Sequence, residues 1–168
     1  SRGLENRPYM VVDAGWQMCF VGQFTNVEIM NCGPWRYCNC KFGDMKKLAD
    51  EIKSMDIHPG IWLRPLLTAE FVPDEYYIKA ADGGKLSDEY ILKNNLYRTM
   101  DPSEPFVLAK IAEDVKTLAD WGYELIKFDF TTLDLMHRPG SAWGEDFTDG
   151  GWTFGDKSKT TAQILKNM

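Results

Sequence analysis

The chain has 168 residues, of which 44% are hydrophobic and 13% are aromatic, a composition typical of a globular protein and unlike that of a disordered chain. Its formal net charge is -6 and it contains no block of basic residues, so we expect no nucleic-acid partner. No apolar run approaches the roughly 20 residues needed to span a bilayer, so we also expect no membrane partner.

The two ends of the sequence suggest a piece of a larger protein. It begins at Ser1 without an initiator methionine, and residues 160–168 look like a helix cut short. We therefore expect a chain truncated at both ends. The cellular compartment stays open, cytoplasmic or exported, because a leader sequence cannot be judged from such a piece.

The four cysteines lie in one segment, Cys19 to Cys40. Their spacing lacks the paired C-x-x-C pattern of zinc sites, so we predict no metal centre there. One disulfide in an exported protein and free thiols in a cytosolic protein are both compatible with the pattern.

The first half of the chain predicts a strand, a helix and a second strand. Residues 9–13 form a short apolar run that ends in an acid, and Gly15 supplies a turn before a long loop that reaches residue 42. Residues 44–55 carry apolar side chains at helical spacing, and 61–63 form the next apolar run. This interval is that of a βαβ unit.

The second half repeats the pattern. An irregular segment, 68–100, precedes a helix that we predict to begin with Ser103 as N-cap and to end at Gly122. Residues 123–130, Tyr-Glu-Leu-Ile-Lys-Phe-Asp-Phe, are typical of a buried parallel strand that ends in an acid. Since side chains alternate along a strand, Lys127 and Asp129 should point to the same side.

The fold class predicted from this order is α/β. Strand, loop and helix recur three times, and the long loops follow the strands, as in a (β/α)8 TIM barrel whose active site lies at the C-terminal ends of its strands. A complete barrel needs about 250 residues. We therefore predict a partial barrel of about three strand-helix units, in which residues 1–168 are one N-terminal half-domain.

The motifs resemble those of glycoside hydrolase family 36, the α-galactosidase (melibiase) family of clan D. Four stretches carry the resemblance in the family's order and span nearly the whole chain: Val-Val-Asp-Ala-Gly-Trp-Gln at 11–17, Gly-Pro-Trp at 33–35 with 39–42, Pro-Gly-Ile-Trp-Leu-Arg-Pro at 59–65, and Asp-Pro-Ser at 101–103 with 125–130.

The resemblance implies a retaining glycoside hydrolase that acts on terminal α-linked galactosides. It assigns the nucleophile to Asp129 and makes Lys127 a ligand of sugar hydroxyls; the nearby ammonium would also favour an ionised carboxylate. The acid/base residue of the family lies on a later strand, beyond Met168. We accordingly expect this chain alone to be inactive, and the reaction to need neither a cofactor nor a metal.

Three further positions match substrate-binding residues of the family. Asp13 corresponds to the first acid of an Asp-Asp pair that binds the galactose O4 and O6 hydroxyls, but Ala14 replaces the second acid and leaves the exact glycone open. Trp35 and Trp62 match tryptophans that line the sugar subsite, where aromatic faces stack on sugar C–H groups. Core packing is the alternative role for both.

Several functional alternatives remain at this level. The same covalent intermediate serves an α-galactosyl transglycosylase of the raffinose-synthase type, and Ala14 also suits a carbohydrate-binding barrel without turnover. A metal-dependent barrel could use Asp13 and Asp129 as ligands, although no third ligand is evident. We expect His58 to be structural and His137 to lie on the surface or near an aglycone. The expected partner is an oligosaccharide or glycoside, and the family's members are often oligomers.

Overall fold

The computed structural model describes residues 6–18, 32–87, 98–136 and 152–168. The chain divides into two compact units. Unit 1 comprises Ser1–Arg64 with Glu113–Asp129, and unit 2 comprises Pro65–Ala112 with Phe130–Met168. The prediction of one half-domain over residues 1–168 marked no such division.

The described ranges contain five strands and four helices. In chain order they are β1 (Tyr9–Val12), α1 (Met45–Ser54), β2 (His58–Leu63), β3 (Lys79–Ala80), α2 (Pro105–Asp120), β4 (Leu125–Phe128), α3 (Thr131–Met136), β5 (Trp152–Thr153) and α4 (Thr161–Asn167), with a 3-10 turn at Asp74–Tyr76. The mixed α/β content agrees with the predicted class. The partial (β/α)8 barrel stays a prediction.

The sheet of unit 1 is parallel, with β2 between β1 and β4. Ile61 of β2 is in register with Val12 on one side and with Ile126 on the other. The three predicted strands are therefore confirmed, but β2 begins at His58, three residues before the predicted start. Pro59 lacks an N–H, yet its carbonyl accepts a hydrogen bond from the Glu124 N–H at 2.9 Å, so the strand runs through it. The prediction that the strand within 123–130 is buried is wrong: β4 is half-buried at Leu125 and Ile126 and exposed at Lys127 and Phe128.

Helix α1 packs against β2 of this sheet, as its apolar stripe predicts. The Asp44 carboxylate caps its N-terminus by accepting from the Lys47 N–H at 3.0 Å. Its buried residues include Met45 and Ala49. These join a core built on three fully buried tryptophans and on strand and helix residues of unit 1: Trp16, Trp35, Trp62, Ile61, Leu63, Leu118 and Tyr123.

Helix α2 begins at Pro105, where a missing N–H costs no hydrogen bond. The Glu104 carbonyl accepts from the Leu108 N–H at 3.2 Å, so the helix starts after Glu104. The prediction of Ser103 as N-cap is wrong: the Ser103 hydroxyl instead accepts from the Asp156 N–H at 3.1 Å.

Unit 2 contains a short antiparallel pair, β3 with β5, in which Ala80 faces Trp152. A fully buried carboxylate, that of Asp101, accepts from the Ser103 N–H at 2.8 Å and from the Gly155 N–H at 2.6 Å. These bonds hold the segment after β5 against the start of α2. Within the described ranges, no helix is long and apolar enough to cross a bilayer.

Candidate active site at the ends of the parallel strands

Three charged side chains meet where the parallel strands of unit 1 end. Asp13 directly follows β1 and Asp129 directly follows β4, while Lys127 lies within β4. Because β1, β2 and β4 are parallel, their carboxyl ends lie at the same edge of the sheet. The predicted nucleophile, the predicted sugar-binding lysine and the predicted glycone-binding acid are thus brought together.

Lys127 bridges the two acids. Its Nζ lies 2.9 Å from Asp13 Oδ2 and 3.4 Å from Asp129 Oδ2. The side chains are 43%, 59% and 36% exposed for Lys127, Asp13 and Asp129, so a ligand in solution can reach all three. The prediction that Lys127 and Asp129 point to the same side of β4 is confirmed.

The charged forms of Asp13 and Lys127 are both favoured. The pKa of Asp13 is lowered, first by the Ala14 backbone N–H, which donates to Oδ1 at 2.7 Å, and then by Lys127. The pKa of Lys127 is raised, first by its hydrogen bond to Asp13. Asp13 is therefore an acceptor of hydrogen bonds at neutral pH, and not a proton donor.

Asp129 is held from β2 through both its main chain and its side chain. Its N–H donates to the Leu63 carbonyl at 2.9 Å. The Trp62 indole Nε1 donates to Asp129 Oδ2 at 2.8 Å, and the Trp62 carbonyl in turn accepts from the Trp16 indole at 2.9 Å. The oxygen that contacts Lys127 is thus also fixed by a fully buried tryptophan.

The predicted sugar-stacking tryptophans lie in the core of unit 1. Trp35 and Trp62 are both 0% exposed. Their rings pack edge to face with centroids 5.5 Å apart, and Trp35 also packs on Trp16 at 5.8 Å. This placement favours the core-packing alternative for both residues; stacking on a substrate stays a prediction.

The loop that carries Asp13 is fixed by two amide side chains. The Gln17 Oε1 accepts from the Gly15 N–H at 2.9 Å. The Asn39 side chain donates to the Gly15 carbonyl, and the Asn39 N–H donates to the Trp16 carbonyl at 2.9 Å. Both residues stand within the motifs at 11–17 and 39–42, but the sequence indicates no role for them, because nothing in the local pattern shows that residues 13–17 and 39 are neighbours.

The remaining candidates lie elsewhere or serve packing. Arg64, at the end of β2, is 1% exposed. His58, at the start of β2, contacts the Glu124 carboxylate and stacks on Tyr9 with centroids 4.8 Å apart, as a structural role requires. His137 and Cys19 lie outside the described residues. Cys38 and Cys40 are free thiols.

The chemistry at the strand ends suits a polar organic ligand better than a metal ion. The Lys127 ammonium lies between the Asp13 and Asp129 carboxylates, in the place that a cation shared by two carboxylates would take. Across the described part of the chain, no three His, Cys, Asp or Glu side chains come close enough together to hold a metal ion.

Neither family models nor curated proteins identify this site. The sequence matches no model of a protein family, and a search among curated proteins finds no significant match. Function is therefore inferred from the residues and their arrangement.

Proposed function

We propose that this chain supplies the nucleophile and a glycone-binding carboxylate of a retaining glycoside hydrolase acting on terminal α-linked galactosides. The observation that carries the proposal is the pair of acids, Asp13 and Asp129, on different parallel strands and bridged by Lys127. The choice of an α-galactoside is supported by the motifs that resemble glycoside hydrolase family 36.

Asp129 is the nucleophile of this mechanism. Its carboxylate attacks the anomeric carbon as the bond to the leaving oxygen breaks, and a general acid protonates that oxygen. Water then cleaves the glycosyl-aspartate ester and the carboxylate is regenerated. The hydrogen bond from Trp62 fixes one carboxylate oxygen before substrate arrives, so little reorganisation is needed at the moment of attack.

Asp13 and Lys127 bind the sugar in this proposal. Asp13 offers an ionised acceptor and Lys127 a charged donor, a combination that pairs with sugar hydroxyls. Hydrogen bonds to charged groups contribute about 1.5 to 3 kcal/mol each. Because the pKa of Asp13 is lowered, it cannot protonate the leaving oxygen at neutral pH, and the general acid must be another residue.

A carbohydrate-binding protein without turnover is the second candidate, and the residue at position 14 favours it. The Ala14 side chain offers no hydrogen-bond acceptor, and its N–H is used within the protein by Asp13. Two sugar hydroxyls that each donate to a carboxylate at this edge would therefore find the Asp13 carboxylate but no second one at position 14.

The deciding experiment is covalent trapping of the nucleophile in the full-length protein. The protein is incubated with a fluorinated α-galactosyl inactivator, digested and mapped by mass spectrometry. We expect a single labelled peptide with the sugar on Asp129, and no label in Asp129→Asn, while Asp120→Asn, at an exposed acid of α2 that the mechanism does not use, serves as the control. Label on another residue would refute the assignment. Binding of galactosides without any label would support the second candidate.

A further inference from the structure

A second candidate site lies wholly within unit 2, where a cavity of 230 Å³ opens beside β3. It is lined by basic side chains, two acids, a glycine turn and apolar side chains: Lys79, Lys85, Arg98, Asp74, Glu75, Gly83, Gly84, Tyr77, Ile78 and Leu86. The proposed hydrolase mechanism uses none of these residues.

The cavity already holds one carboxylate between two cations. Arg98 donates to Asp74 Oδ1, and the Lys85 Nζ lies 3.0 Å from Asp74 Oδ2. The guanidinium is also fixed by an aromatic ring, because its Cζ lies 4.1 Å from the centroid of Tyr77. A planar guanidinium held in this way is a good partner for a second carboxylate.

The lining has an excess of positive charge in a chain that is acidic as a whole. Three basic residues face two acidic ones, whereas the formal net charge of the chain is -6. Arg98 and Lys85 together carry two positive charges, and the Asp74 carboxylate between them carries one negative charge. The Lys79 ammonium has a long contact with Glu104, 3.8 Å. The groups that an entering carboxylate would meet are therefore Arg98 and Lys85, whose two positive charges exceed the single negative charge of the Asp74 carboxylate between them.

The rest of the lining is apolar. Tyr77, Ile78 and Leu86 are 9%, 3% and 6% exposed. The volume is below the roughly 300 to 1,000 Å³ of sites for drug-sized ligands, so the ligand is a single ring with short substituents. We propose that this cavity binds a small organic carboxylate, with the acid group beside Arg98 and Lys85 and the ring against the apolar side chains.

Three probes separate the parts of this proposal. The full-length protein, labelled with nitrogen-15, is titrated in low salt with benzoate, with benzamide and with inorganic phosphate, and the amide signals of Gly83 and Gly84 are followed. We expect saturable shifts with benzoate at millimolar concentration. Benzamide has the ring without the charge and phosphate has the charge without the ring, so each should bind about tenfold more weakly or worse.

If benzamide binds as tightly as benzoate, the charge of the ligand plays no part in binding. If phosphate binds as tightly as benzoate, the apolar side chains of the cavity play no part. Either result would overturn the proposal, as would the absence of shifts with benzoate.

A charge reversal with a matched control tests the position of the site. Lys85→Glu should weaken benzoate binding about tenfold or more. Lys46→Glu is the control, since Lys46 pairs with Asp50 at 2.9 Å and the side chains of both pairs are 59% and 57% exposed. Lys85 is exposed, so its variant should keep the wild-type circular dichroism.

If Lys85→Glu binds benzoate with the affinity of the wild type, the proposal is wrong. Asp129→Asn should bind benzoate as the wild type does, which keeps this test independent of the hydrolase mechanism. Loss of benzoate binding in Asp129→Asn would place the anion at the strand ends instead.

Discussion

Removing one buried hydroxyl should make the core of unit 1 less stable at neutral pH and more stable in strong alkali. Tyr123 is 4% exposed, and its hydroxyl donates to the Met45 carbonyl at 3.1 Å. The variant Tyr123→Phe loses this hydrogen bond and little else. A neutral hydrogen bond contributes about 0.5 to 1.5 kcal/mol net, so the free energy of unfolding at neutral pH should fall by about 1 kcal/mol.

The sign reverses because burial raises the pKa of Tyr123 above its ordinary value of 10.0. Above that value the unfolded chain loses the phenolic proton while the folded chain keeps it, so the unfolded state binds fewer protons. The stabilisation is complete below the ordinary pKa and declines as pH rises, by about 1.4 kcal/mol for each pH unit. The phenylalanine variant has no phenolic proton and does not lose stability in this way, so the plots of unfolding free energy against pH for the two proteins should cross at about pH 11.

Urea unfolding followed by tryptophan fluorescence measures this difference, since Trp16, Trp35 and Trp62 pack in the same core as Tyr123. The free energies of wild type and Tyr123→Phe are compared at several values between neutral pH and about pH 11. Other tyrosines and the charges at the strand ends are common to both proteins and cancel. A difference that stays constant across this range would refute the reasoning.

Three further substitutions test the site and the sheet beneath it. Trp62→Phe removes the indole donor to Asp129. Because a hydrogen bond to a charged group contributes about 1.5 to 3 kcal/mol, kcat of the full-length protein should fall about tenfold to a hundredfold, with a smaller change in KM. An unchanged kcat would contradict the role of Trp62 in fixing the Asp129 carboxylate. Lys127→Met should raise the pKa of Asp13, because the variant removes the hydrogen bond and the positive charge of Lys127, which both lower it; carbon-13 NMR of the Asp13 carboxyl group measures this, and a pKa that does not move would count against the bridge. Gly60→Ala places a methyl group 2.9 Å and 3.2 Å from side chains of the two flanking strands, so overpacking should lower the free energy of unfolding by about 1 to 3 kcal/mol; a neutral effect in urea unfolding would contradict the close packing at this glycine.

The main elements of unit 1 were predictable because their signals are local. Apolar runs that end in acids predicted β1 and β4, and a stripe at helical spacing predicted α1 with only small errors at its ends. The same-side placement of Lys127 and Asp129 followed from strand alternation alone. The start of β2 was missed because its apolar run begins only at Ile61, whereas the Pro59 carbonyl already accepts a hydrogen bond from the neighbouring strand segment.

The elements that were not predicted depend on contacts between distant residues. Strands β3 and β5 have two residues each, too few for any periodic pattern. Ser103 looked like a helix cap, but its hydroxyl is engaged by Asp156. The burial of Trp35 and Trp62 could not be predicted either, because the sequence does not distinguish a tryptophan that packs in a core from one that lines a cleft. Only the three-dimensional arrangement distinguishes these cases.

The bridge between Lys127 and Asp13 joins residues 114 positions apart. No local segment can create it: β1 must first pair with β2, and β2 with β4, before the ammonium reaches the carboxylate. Such long-range parallel pairing is slow compared with helix formation. Any binding of a ligand at the strand ends should therefore appear only in the last phase of refolding, after the helices have formed. The rate at which ligand binding appears during refolding would then measure the rate at which the sheet is completed.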